Sequence, residues 1–66
     1  MVFEINHERY GERTLFSSMH EAQFAIRQCG PEFSNTVLAV CGLEIIDERG
    51  EVIGRILDGD PDDYNL

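Results

Sequence analysis

An α+β fold of ββαββ order is what this 66-residue sequence predicts, with two β-hairpins forming an antiparallel sheet and one helix packed on one face. Three observations carry the prediction. A single helical pattern is opened by a capping motif and closed by a Gly-Pro pair. The turn sequence Glu8-Arg9-Tyr10-Gly11-Glu12 recurs in kind as Asp47-Glu48-Arg49-Gly50-Glu51. Strand-like runs rich in β-branched and aromatic residues flank both turns.

Val2 to Ser17 reads as the first hairpin. Alternation puts Phe3, Ile5 and His7 on one face of its first strand and Val2, Glu4, Asn6 and Glu8 on the other. Gly11 suits a position that needs positive φ. Pairing Glu8 with Glu12 then sets His7 opposite Arg13, Ile5 opposite Leu15 and Phe3 opposite Ser17. The helix follows. Ser18-Met19-His20-Glu21 fits a capping box, and Gly30-Pro31 supplies the stop. Met19, Ala22, Ala25, Ile26 and Cys29 fall on one side at 100° per residue, while Phe24 projects opposite them.

After a connector, Thr36 to Ile46 forms a long β-rich segment. Gly50 repeats the role of Gly11, and Glu51 to Leu57 is the final strand. Residues 1–57 make one domain, and residues 58–66, with four acids and no base, form an acidic C-terminal tail.

The apolar pattern exceeds what one helix covers. Pairing Asp47 with Glu51 puts Val37, Ala39, Cys41, Leu43 and Ile45 on the face of Ile53, Arg55 and Leu57. The opposite face collects Leu38, Val40, Ile46, Val52 and Ile56, interrupted by Gly42, Glu44 and Gly54. A curled monomer bent at Gly42 and Gly54 would hide part of this surface. Homodimerisation through the sheet answers it better, because so small a chain gains most from a second copy.

Composition narrows the function. Five arginines stand against 13 acids, the formal net charge is −8, the pI is near 4.4, and there is no lysine. A direct nucleic-acid binder needs the opposite sign, and a membrane anchor needs basic clusters or a long apolar run. The longest apolar run is Val37 to Cys41, well short of the roughly 20 residues of a membrane span. The first residues, Met1 to Asn6, show no basic n-region and no h-region, so a cytoplasmic protein with two reduced, buried thiols at Cys29 and Cys41 is expected.

No catalytic, metal-binding or cofactor-binding constellation is expected. His20 lies in the first helical turn, where the dipole disfavours a cation, and His7 faces Arg13. Cys29 at a helix C-terminus is no activated nucleophile, Cys41 is mid-strand, and Cys-x-x-Cys spacing is absent. Asp58-Gly59-Asp60-Pro61-Asp62-Asp63 begins like a calcium loop, but Asp63 occupies the place of the turn glycine and no closing Glu follows.

Charge and one aromatic remain. Residues 44–66 hold eight of the 13 acids and two of the five arginines. Such an acidic end attracts a basic protein partner. The residues expected to meet a partner are Phe24 with Glu44, Glu48, Asp58, Asp60, Asp62 and Asp63. The leading expectation is a small acidic, non-enzymatic protein-binding or regulatory module working as a homodimer. The alternative is an acidic nucleic-acid mimic, of the kind used by phages and mobile elements, that blocks a basic nucleic-acid-binding protein.

Overall fold

A computed structural model describes all of residues 1–66 and shows an antiparallel five-stranded sheet with a single α-helix on one face. The strands are β1 (Val2–His7), β2 (Gly11–Phe16), β3 (Ala39–Cys41), β4 (Glu44–Ile46) and β5 (Val52–Leu57), with helix α1 (Met19–Arg27) between β2 and β3. Their order across the sheet is β2-β1-β5-β4-β3. The α+β class with one helix on the sheet is therefore present, with one strand more than the predicted order. No helix is long and apolar enough to cross a membrane.

The extra strand arises inside the segment Thr36 to Ile46. It doubles back at Gly42-Leu43, so β3 and β4 pair as a tight hairpin, Cys41 opposite Glu44. Gly42 has φ +65° while Leu43 keeps a negative φ. A glycine with positive φ at the first central position defines the type II′ turn, whose twist suits a two-residue hairpin.

Both hairpin registers differ from the alternation reading, and each contains one bulge. In the first, Phe3 pairs with Phe16 and Ile5 with Thr14, then the register shifts so that His7 meets Gly11. In the second, Ile46 pairs with Val52 as expected, but Ile45 pairs with Gly54 and Glu44 with Arg55. Ile53 is the inserted residue. Its bulge turns Ile53 and Gly54 both toward the helix and sends Arg55 to the outer face.

That slip sorts charge from grease. Ile5, Ile45 and Ile53 lie under Ala22 and Ile26 of α1, with Tyr10, Phe33 and Leu38 closing the cluster. On the outer face Glu4, only 3% exposed, accepts from the Nε of Arg55 at 3.1 Å and from the Nε of Arg13. Glu44 extends the ladder opposite Arg55. A buried carboxylate is tolerated there because two guanidinium groups satisfy it. The outer face is thus crossed by ion pairs, with Val2, Leu15 and Leu57 to one side and the Ile46–Val52 pair to the other. The outer face is therefore more polar than the alternation reading has it, because Arg55 lies there and not beside Ile53.

The helix begins as its cap predicts. Ser18 Oγ accepts from the Glu21 N–H at 3.2 Å. The Glu21 carboxylate, however, reaches Ser17 rather than Ser18, accepting from its N–H at 3.1 Å and its hydroxyl at 2.6 Å. These Ser17 bonds hold the Glu21 carboxyl below its ordinary pKa. Both thiols are exposed and free, contrary to the expected burial. Cys29 lies beyond the last helical turn, and Cys41 is on an edge strand. Residues 58–66 carry a short 3₁₀ turn, Pro61–Tyr64, steadied by Asp63 accepting from the Asp60 N–H and by Tyr64 Oη donating to the Asp58 carbonyl.

Candidate interaction surface

The densest polar cluster joins the two similar turns. Asp47 is buried and accepts through Oδ1 from the N–H groups of Arg49 and Glu51, both at 3.0 Å. Its Oδ2 accepts from Arg9 Nη1 and Tyr10 Oη, again at 3.0 Å each. Glu51 receives the other Arg9 nitrogen and the Nε2 of His7. Since His7 Nδ1 accepts from the Arg9 N–H at 3.1 Å, the ring proton sits on Nε2 and is donated to Glu51. Tyr10 packs on Phe33 with ring centroids 4.9 Å apart.

Titration behaviour follows from these contacts. Burial pushes Tyr10 upward against the Arg9 hydrogen bond. Burial also raises Asp47, but the backbone N–H of Glu51, the Tyr10 hydroxyl and Arg9 together bring it below its ordinary value. Glu51 is lowered by Arg9 and then His7. Every carboxylate oxygen is engaged, and no hydroxyl or thiol nucleophile hydrogen-bonds to His7. The cluster is a clasp between two hairpins.

A second feature is a shallow groove of about 330 Å³ on the outer face, lined by Glu4, Asn6, Glu44, Val52 and Arg55 among others. Its one buried charge, Glu4, is already paired twice. No buried side-chain polar atom in the protein lacks a partner.

The residues anticipated as partner contacts do not form one patch. Phe24 is 63% exposed on the solvent side of α1, and Tyr64 folds onto its own segment. Glu48 lies in the turn before β5, whereas Asp58, Asp60, Asp62 and Asp63 follow its far end. Six extended residues, about 20 Å, separate the two groups. Glu44 belongs to the outer ladder beside Arg55. All seven are exposed. They make four separate surfaces.

What the anticipated set lacked is the apolar residues Val37, Val40 and Leu43, exposed by 57%, 46% and 70%. They share the stretch Phe33 to Leu43, which contains no charged residue in a chain otherwise dense in acids. That uncharged run was the available signal. Helix α1 runs beside it. Gln23 Nε2 donates to the Thr36 carbonyl at 2.6 Å, Gln23 Oε1 accepts from the Leu38 N–H at 2.8 Å, and Arg27 Nε also reaches the Thr36 carbonyl. In extended chain the C=O of one residue and the N–H two further on point the same way, so the Gln23 amide takes the place of a neighbouring strand. Phe24 stands 60° around the helix from Arg27, on this same flank.

The cover ends at Val40. Cys41 and Glu44 flank a two-residue turn and form a hydrogen-bonded pair, so alternation leaves Val40, opposite Ile45, with its N–H and C=O aimed away from β4. The other edge, β2, carries Glu12 and Arg13 next to its bulge, devices that discourage pairing. β3 carries none of these. Comparison with protein-family models, with curated proteins and with solved structures finds no match, so the site is read from its own geometry.

Proposed function

We propose that this protein is a small non-enzymatic binding or regulatory module that acts as a homodimer. The supporting observation is the set of exposed apolar side chains Val37, Val40 and Leu43 along the uncharged run Phe33 to Leu43 of an otherwise acidic molecule, with exposed Phe24 on the helix flank beside it. Aromatic and aliphatic anchors of this kind supply binding energy, and the surrounding charge governs encounter rates and excludes acidic partners. Light scattering on eluted protein tests the dimer. Protein in the range of roughly 100 µM is expected to show a mass above the 7.5 kDa chain and approaching twice that value. A strict monomer at about 1 mM would remove the homodimer.

The acidic-mimic reading keeps one supporting observation. Asp58, Asp60, Asp62 and Asp63 are exposed around a short ordered turn, and residues 56–66 contain no basic side chain. If these carboxylates stand in for phosphates, capture of a basic nucleic-acid-binding protein is expected to weaken with salt and to be competed by duplex DNA. Replacing the four with Asn should abolish capture. Binding that survives the replacement excludes this reading.

A further inference from the structure

We infer that two copies join edge to edge through β3, antiparallel about a two-fold axis at Val40, so that two five-stranded sheets become one of ten strands. The inference rests on the homodimer reading and adds the surface and its register. Val40 presents one free donor and one free acceptor on the open edge, and a two-fold axis there lets each copy's N–H meet the other's C=O. Val40 would then face Val40 of the second copy, and Ala39 would face Cys41.

Two features of the molecule select a second copy over other occupants. The first is charge. Each chain carries −8, so like copies approach most easily where neither bears a charge, and Phe33 to Leu43 is that place. A basic partner finds no counter-charge along it. The second is length. The open edge begins where Gln23 releases Leu38 and ends where the chain turns at Gly42. A longer extended peptide would compete with Gln23 for the backbone of Thr36 and Leu38. A second β3 would not, because in this register the residue opposite Leu38 is Gly42, where the partner strand turns away. The contact is short, below the roughly 1,200 Å² of stable complexes, and a weak, concentration-dependent dimer follows.

Two variants test the register. Val40→Pro removes the outward N–H that the monomer does not use, as proline on a free strand edge does. It should leave the far-UV circular dichroism unchanged and raise the dimer dissociation constant at least about tenfold. Ala39→Cys, made with Cys29→Ser, places a thiol opposite Cys41 of the second copy. Non-hydrogen-bonded antiparallel pairs lie about 4.5 Å apart at Cα, within reach of a disulfide. Oxidised glutathione should convert this variant to a covalent dimer bridged between position 39 and Cys41, and Cys29→Ser alone should not form it. A dimer by light scattering that survives Val40→Pro and does not cross-link overturns the edge pairing and leaves the homodimer reading standing. A monomer throughout overturns both. Should Val40→Pro fail to fold, the cross-link decides.

Discussion

Gly54→Ala is expected to remove most of the domain's stability, a loss on the order of 4 kcal/mol. A domain of 66 residues holds roughly 3–10 kcal/mol in total, so the variant sits at the edge of unfolding. Gly54 occupies the central strand between Ile5 of β1 and Ile45 of β4. A Cβ there would stand 1.9 Å from the Glu4 carbonyl oxygen and 3.2 Å from the Cα of Ile5. Both are main-chain atoms of the neighbouring strand. They yield only if β1 and β5 separate, and that separation also loosens the Glu4–Arg55 pair and the floor beneath Ile26. Gly42→Ala is the control. It meets open space and carries only the strain of a positive φ, about 1 kcal/mol. Urea unfolding followed by circular dichroism reads both. A Gly54→Ala protein within about 1 kcal/mol of the parent would show that the close approach of β1 to β5 is not the constraint described.

Gly54 also shows why the pattern alone misplaces half the sheet. Alternation fixes faces only while strands pair residue for residue. Here one inserted residue, Ile53, reverses every assignment beyond it, and nothing in Glu51-Val52-Ile53-Gly54-Arg55 announces the insertion. Its cause is non-local: Asp47 must reach Arg9 and Tyr10 from one turn, while Gly54 must lie against Glu4. The II′ turn was hidden for a related reason. Gly42-Leu43 sits in an apolar run without the Asn or Asp that usually mark such loops. The helix, by contrast, was legible because its signals are local: Ser18 caps it, Ala22 and Ile26 repeat at helical spacing, and Phe24 faces solvent as its angle requires. Of the candidate surface, exposure of the acids was readable, but their grouping was not. Glu48 and Asp58 are near in sequence and far in space because an extended strand separates them. Val37, Val40 and Leu43 read as parts of two apolar sheet faces, because beyond the absence of charge nothing local told an edge strand from a central one.

Asp47→Ala is expected to cost about 3 kcal/mol near neutral pH, the scale of a buried charged group whose partners are left unsatisfied. The substitution strips acceptors from Arg9, Tyr10 and the N–H groups of Arg49 and Glu51 together. The dependence on pH tells this clasp from a simple cavity. Asp47 and Glu51 both titrate below their ordinary values in the folded protein. A carboxyl with a depressed folded pKa contributes stability that is complete above its unfolded pKa, about 4, and is lost as pH falls through the lower folded value. The parent should therefore hold its urea midpoint from pH 7 down to about 5 and lose it progressively below 4. The variant has already lost the Asp47 share, so its midpoint should fall less, and the gap between the two proteins should narrow as pH drops toward 3. A gap of the same size at both ends would mean that Asp47 fills space and does not hold Arg9 and Tyr10 by charge. Arg9 and His7 would then be held across the clasp by Glu51 alone, beside the main-chain pairing of β1 with β5.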